Sequence, residues 1–181
     1  MDLRTERTKR SIVNAYIELR GKKPIEKITV KELAELAFIN KATFYTHYHD
    51  IYDLAEQLEE EVIDSVLKGI PHPDHIIKNP KRAVEELINA LLSKKSLTNI
   101  IFSGSREAIY AKKLEQRLKE HIFELYPEYR ENLVWDITLT MIIQGGFSAF
   151  MSYSDKDIAK VTGTIGDINQ CLQEHFLVLE L

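Results

Sequence analysis

The stretch Lys31–Tyr48, KELAELAFINKATFYTHY, decides the fold of this sequence. It predicts two short helices joined by a tight turn, and the second helix is too short to be a core helix. Apolar residues occupy one face of the second helix, and polar and aromatic side chains occupy the other. This pattern is typical of a helix that packs on one side and enters a DNA groove with the other.

Capping side chains predict where the helices of this region begin. The predicted N-caps of the second, third and fourth helices are Thr29, Asn40 and Asp50. Glu32 follows Thr29 by three residues, as a capping box requires. A first helix over 5–19 precedes them, so the sequence predicts three short helices that lead into a long fourth one.

The third helix, predicted over 41–48, divides into an inner and an outer side. At 100° per residue, Phe44 and Tyr48 fall together and face the core. The residues predicted on the opposite side and the flanks are small, polar or aromatic: Ala42, Thr43 and Thr46, then Lys41, Tyr45 and His47. Such side chains suit base edges and phosphate oxygens, although an ordinary exposed helix is the alternative.

Residues 28–54, ITVKELAELAFINKATFYTHYHDIYDL, resemble the DNA-binding head of the TetR/AcrR family of bacterial transcription regulators. The family pattern is a capped helix, a turn, a recognition helix of the type S-K-x-T-F-Y-x-H-F, and a long fourth helix. Here that recognition helix reads NKATFYTHY over 40–48. The resemblance covers about residues 5–60, and the remainder fits the family only in the number and length of its helices.

The resemblance implies a homodimer whose two heads enter successive major grooves of a palindromic operator in double-stranded DNA. It implies that Lys41, Ala42 and Tyr45 approach bases, while Thr29, Thr43 and His47 approach the backbone. The last two helices, about 128–153 and 155–176, would form the dimer contact. The body would bind a small-molecule effector of unknown identity, and the protein would act as a repressor.

Two positions depart from the family pattern. Phe38 stands in the turn where the family usually has glycine, which predicts a strain of about 1 kcal/mol if the backbone there is left-handed. Ile51 stands where the family often has a phosphate-binding lysine, so binding should be weaker or less sensitive to salt. These departures, with the weak charge of the head, leave open a coactivator or adaptor that works mainly through protein partners.

Helical periodicity extends through the rest of the chain, and no stretch alternates like a strand. We predict an all-α fold of about nine helices, with a helix-turn-helix head over 1–50 and a regulatory and dimerisation body over 51–181. The stretch GIPHPDHIIKNP predicts a loop. The later helices are predicted at 80–93, 97–102, 105–125, 128–153 and 155–176.

Charge is distributed unevenly between the two predicted parts. The formal net charge is −4, but residues 1–50 carry ten Lys/Arg against seven Asp/Glu. A basic end on an acidic body directs the attraction for phosphates to one part of the molecule. The single cysteine, Cys171, excludes an intramolecular disulfide, suits a cytoplasmic protein and is expected to be buried. The uncharged stretch 137–154 is expected to be a buried helix and not a membrane span.

Enzymatic, cofactor and metal motifs give little support to other functions. The sequence contains no Gly-rich phosphate loop, G-x-S-x-G or H-E-x-x-H, so we expect neither an enzyme nor a bound cofactor. Glu59, Glu60 and Glu61 are expected to form a solvated helix face. His72 and His75 flank Asp74, but a loop is favoured over a metal site because zinc usually needs three or four ligands.

Overall fold

The computed structural model describes residues 3–177, and every regular element within that range is helical. This confirms the all-α prediction. Ten α-helices follow one another: α1 Leu3–Arg20, α2 Val30–Leu36, α3 Lys41–Tyr45, α4 Ile51–Leu67, α5 His75–Lys78, α6 Pro80–Ser93, α7 Lys95–Ile101, α8 Glu107–Leu125, α9 Leu133–Tyr153 and α10 Ile158–Leu177.

The chain folds into two compact units, and the boundary between them lies within α4. The first unit runs to Val62 and also includes Lys95–Glu107; the second comprises Ile63–Lys94 and the chain from Ala108 onward. This division differs from the expected one at residue 50. One reason is that α4 begins inside the first unit. The other is that the segment Lys95–Glu107 contains α7, which packs against α1.

The first unit is built on α1, α2 and α3, with α1 also contacting α7. Tyr16, Leu33 and Phe44 are fully buried and form its centre. The guanidinium of Arg20, at the end of α1, donates hydrogen bonds to the carbonyl oxygens of Ile101 at 3.2 Å and Ser103 at 3.0 Å. These bonds hold the segment that follows α7 in the first unit.

The second unit is organised around α10, which packs on α6 and α9, while α5 packs on α6. A Cβ atom on Gly146 would lie 3.3 Å from Ile165, and one on Gly166 would lie 3.2 Å from the backbone of Lys81. These glycines therefore allow α10 to approach α9 and α6 closely. Of the adjacent residues Gly145 and Gly146, only Gly146 makes such a contact within the described residues.

Helix α9 is long and apolar enough to cross a membrane by length and composition alone, a test that core helices also pass. In the structure it has two different faces. One face is buried through Leu139, Ile142 and Phe147. The other exposes large apolar side chains: Leu133, Val134, Ile137, Met141 and Met151. The helix is therefore only half covered, whereas the sequence predicted a buried helix.

Two further expectations are corrected by the burial pattern. Glu59 is fully buried, because it falls on the α4 stripe with Ala55, Val62 and Ile63 and not on the solvated face. Cys171 is exposed, because α10 buries the opposite side of its surface. The predicted loop between α4 and α6 contains the short helix α5.

Candidate nucleic-acid interface

Helix α3 is short and is fixed at its start by Asn40. The Asn40 Oδ1 atom accepts hydrogen bonds from the backbone N–H of Thr43 at 2.7 Å and from the Thr43 hydroxyl at 2.9 Å. The regular helix ends at Tyr45, and the backbone N–H of Tyr48 still donates to the Phe44 carbonyl at 3.0 Å. The helix is thus shorter than the predicted 41–48, but the helical turn continues to the expected end.

The inner side of α3 is anchored by two aromatic rings. Phe44 and Tyr48 are buried, and their ring centroids lie 5.7 Å apart. Leu33 of α2 is fully buried in the same unit. The geometry confirms the predicted inward face, and this anchoring fixes the rotation of α3 about its axis.

The outer side presents the residues that the sequence singled out. Lys41, Ala42, Tyr45 and Thr46 are exposed, whereas Thr43 and His47 are half-buried. Tyr45 exposes 56% of its surface, and its ring meets Phe44 edge-on with centroids 5.6 Å apart. All of these predicted residues therefore keep at least part of their surface exposed, including a cation at Lys41 and a phenol at Tyr45.

The three threonines of this region differ in whether their hydroxyl proton is already used in a hydrogen bond within the protein. The Thr43 hydroxyl donates to Asn40, and the Thr46 hydroxyl donates to the Ala42 carbonyl at 3.0 Å. Thr29 instead accepts a hydrogen bond from the backbone N–H of Glu32 at 3.3 Å as the N-cap of α2. A hydroxyl has one proton, so Thr29 can donate to a phosphate without giving up its capping bond.

The turn between α2 and α3 is a Schellman motif with phenylalanine at its left-handed position. The N–H groups of Phe38 and Ile39 donate to the carbonyls of Glu35 at 3.2 Å and Ala34 at 3.0 Å, the pattern that closes such a helix end. Phe38 has a φ of 56° and exposes 96% of its surface. The backbone at Phe38 is therefore left-handed, which is the condition under which the sequence predicted strain, and its side chain gains almost no packing in return.

The start of α4 carries negative charge. Asp50 accepts from the N–H groups of Tyr52 at 2.7 Å and Asp53 at 2.8 Å, which confirms it as the N-cap. Asp53 accepts from the His49 N–H at 2.7 Å, and this hydrogen bond is the main cause of the lowered pKa of Asp53. Ile51 is buried. The start of α4 therefore presents two carboxylates beside the buried Ile51.

The second unit contains a cavity of about 50 Å³ among α6, α8, α9 and α10, next to the loop before α5. Its wall is mostly apolar, with polar groups from His72, His121, Asn169 and Gln173. The volume suits only a few waters or a small chemical group, so a larger ligand would need the helices to separate.

The geometry thus provides a short exposed helix in the first unit and a small apolar cavity in the second. Comparison with models of known protein families finds none that matches the chain, and comparison with curated protein sequences also finds no match.

Proposed function

We propose that the protein is a sequence-specific, double-stranded DNA-binding transcription regulator that responds to a ligand. The observation that carries the proposal is the arrangement of α3, in which Phe44 and Tyr48 are buried while Lys41, Ala42 and Tyr45 are exposed. Such a helix suits a major groove, because one face packs on the protein while the other presents small, cationic and aromatic residues to the bases. The resemblance to the TetR family supports the same function.

The phosphate contacts in this proposal come from hydrogen-bond donors on and near α3. Thr29 has a hydroxyl proton to donate, and Lys41 carries an exposed ammonium group. Thr43 and His47 are half-buried at the edge of the surface, where the Thr43 hydroxyl must exchange Asn40 for a phosphate oxygen. Base contacts are assigned to Lys41, Ala42 and Tyr45, with Thr46 beside them.

A homodimer is the second part of the proposal. The face of α9 that exposes Val134, Ile137 and Met141 follows helical spacing, and Ile168 of α10 is also exposed. Exposed apolar side chains in such a row favour association with a second copy of the chain. Sedimentation velocity should give a dimer for the natural chain and a monomer for the double variant Ile137→Glu/Met141→Glu. The double variant should keep the helicity of the natural chain.

The function itself is tested by selecting genomic fragments with the purified chain at two salt concentrations. We expect one palindromic sequence to be enriched, with half-sites roughly 34 Å apart and weaker recovery at higher salt. The Tyr45→Ala variant serves as the control, because it removes a base contact from an otherwise intact head. Equal enrichment by both proteins, or none by either at low salt, would exclude α3 as a recognition helix.

An adaptor that acts through protein partners is the second candidate. Phe38 favours it, because a phenylalanine with 96% of its surface exposed adds an apolar contact beside α3. Asp50 and Asp53 also favour it, since carboxylates at the start of α4 oppose phosphates. An adaptor should bind duplex DNA with little dependence on salt, which separates it from the regulator in the same selection.

A further inference from the structure

Three residues of the second unit converge on one point outside the α3 surface. His72 lies in the loop after α4, His75 begins α5, and Glu86 lies in the middle of α6. The Nδ1 atoms of His72 and His75 lie 3.0 Å and 3.2 Å from the Oε1 atom of Glu86. The three ligand atoms are within 4.8 Å of one another, and the two imidazole rings stack with centroids 4.6 Å apart.

Glu86 is a carboxylate that the fold has taken out of water. It exposes only 7% of its surface, and its Oε2 atom has no hydrogen-bond partner among the described residues. A buried carboxylate oxygen without a partner is unusual, and it leaves Glu86 with an acceptor that a further ligand can use.

We propose that His72, His75 and Glu86 form a binding site for one divalent transition-metal ion of the zinc class. In a tetrahedral zinc site, metal–ligand bonds of about 2.0–2.1 Å place neighbouring ligand atoms about 3.3 Å apart. The two Nδ1–Oε1 separations, 3.0 Å and 3.2 Å, are hydrogen-bond distances close to this spacing, so a bound ion would take the place of the proton shared by each pair. Both imidazoles would ligate through Nδ1 in their neutral form, and Glu86 would supply the anionic oxygen.

The ligand chemistry selects among metals. Two imidazole nitrogens and one carboxylate suit Zn²⁺, Co²⁺ or Ni²⁺, whereas Ca²⁺ and Mg²⁺ prefer all-oxygen sites. Three protein ligands leave a fourth position for water or for a group of a second ligand, as in zinc sites that are not purely structural. Asp74, the ligand first considered from the sequence, instead pairs with Lys78 at 3.1 Å.

The neighbouring cavity gives an independent indication of a ligand. His72 belongs to the cluster and also lines the cavity wall. Gln173 lines the same cavity, exposes 2% of its surface, donates to the Ile76 carbonyl and leaves its Oε1 atom buried without a partner in the described residues. An unpartnered amide oxygen in a mostly apolar cavity is suited to a hydrogen-bond donor of a ligand.

One cation already lies near the cluster. The Nε atom of Arg82 is 3.6 Å from the Oε1 atom of Glu86, in a side chain that is 59% exposed. The same guanidinium donates a shorter hydrogen bond, of 2.8 Å, to Glu85. Arg82 can therefore keep Glu85 as its partner when a metal ion occupies the cluster.

The test uses the full chain, freed of metal by a chelator and then titrated with Co²⁺ and Zn²⁺. Visible absorption reports four-coordinate Co²⁺, and calorimetry gives the Zn²⁺ stoichiometry and affinity. We expect one ion per chain and a rise in the thermal midpoint on addition of Zn²⁺. His72→Ala and Glu86→Gln should each weaken Zn²⁺ binding by more than about 100-fold, because each removes a ligand.

A matched control is His49→Ala, which removes an exposed histidine from the first unit and should leave Zn²⁺ affinity and stoichiometry unchanged. His72 exposes 58% of its side chain, so His72→Ala is expected to fold normally and to keep its helicity. Absence of Zn²⁺ binding to the natural chain, or affinities in His72→Ala and Glu86→Gln equal to that of His49→Ala, would overturn the proposal. The outcome does not depend on DNA binding.

Discussion

The carboxylate of Glu59 is fully buried and receives two hydrogen bonds from the guanidinium of Arg106, at 2.6 Å and 2.7 Å. This paired geometry joins α4 to the segment 104–106 within the first unit. It explains how a glutamate is accommodated on an apolar stripe, because both of its oxygens have a charged donor.

Breaking this pair should destabilise the protein strongly. We expect Glu59→Gln to lower the free energy of unfolding by about 3 kcal/mol, near the lower end for buried pairs, because Arg106 keeps some solvent contact. Denaturant unfolding followed by circular dichroism measures the change. The double variant Glu59→Leu/Arg106→Met should lose less free energy of unfolding than the single variant Glu59→Gln. A double variant that is less stable than Glu59→Gln would contradict this account.

Removal of the Tyr45 ring should weaken binding to the selected operator by about 1–3 kcal/mol. Tyr45→Phe keeps the ring and loses only the hydroxyl, so a smaller loss indicates ring contact with a base. Because Tyr45 is exposed, both variants should unfold at the temperature of the natural chain. Fluorescence anisotropy with the operator duplex gives the affinities, and undiminished affinity of Tyr45→Ala would remove Tyr45 from the interface.

Replacement of Thr29 by aspartate should separate stability from DNA binding. Aspartate is at least as good an N-cap as threonine and interacts favourably with the helix dipole, so stability should be kept or slightly raised. The new carboxylate would repel the phosphate that the Thr29 hydroxyl is proposed to bind. We expect weaker operator binding at every duplex sequence, whereas unchanged affinity would show that Thr29 lies away from the backbone.

Substitution of Phe38 by glycine should stabilise the protein. A left-handed conformation costs a residue with a Cβ atom about 1–2 kcal/mol, and glycine loses part of this gain to its greater freedom in the unfolded chain. The net gain should be about 0.5–1 kcal/mol, measured as a higher thermal midpoint. Phe38→Ala is the control, since it removes the exposed ring but keeps the strain; stabilisation of Phe38→Ala alone would assign the effect to the ring.

Glu115 should contribute a pH-dependent part of the stability. Burial acts to raise its pKa, but the hydrogen bonds from Gln144, Thr140 and Lys119 together have the larger, opposite effect. The pKa of Glu115 therefore falls below its ordinary value of 4.5. A lowered folded-state pKa gives stability that is present above the ordinary pKa and is lost as the pH falls through the folded value.

Glu115→Gln should therefore lose less stability than the natural chain as the pH falls below about 4.5. At neutral pH the same variant should be less stable than the natural chain, because Lys119 keeps only Asp136 as a carboxylate partner. Thermal midpoints between pH 3 and pH 7 measure both effects. The exposed Glu131 supplies the control, because Glu131→Gln removes a carboxylate without touching this network. Equal slopes for the Glu115→Gln variant and the natural chain below pH 4.5 would contradict the assignment.

Local chemistry made several elements predictable from the sequence. The caps Thr29, Asn40 and Asp50 have the bonds expected of them, and helix α6 spans the predicted 80–93. The positions of Phe44 and Tyr48 follow from helical periodicity alone. These features depend on residues within one or two turns, so a single sequence contains the information that determines them.

Long-range pairing was not predictable in the same way. Glu59 lies on the apolar stripe of α4, a signal that periodicity could have supplied, but its partner Arg106 is 47 residues away. Glu86 reaches His72 and His75 only because α5 packs on α6 after the proline-rich loop. The α3 residues could be predicted as a surface, whereas the histidine and glutamate cluster needed the tertiary structure.

The carboxylates at the start of α4 also affect how a DNA-binding head would search a genome. Affinity for arbitrary duplex comes mainly from phosphate contacts, and Asp50 and Asp53 reduce the positive charge available for them. A regulator of this kind would dissociate quickly from random sequence and would slide only short distances. More copies would then stay free in solution, and residence at the operator would depend mainly on the few base contacts of α3.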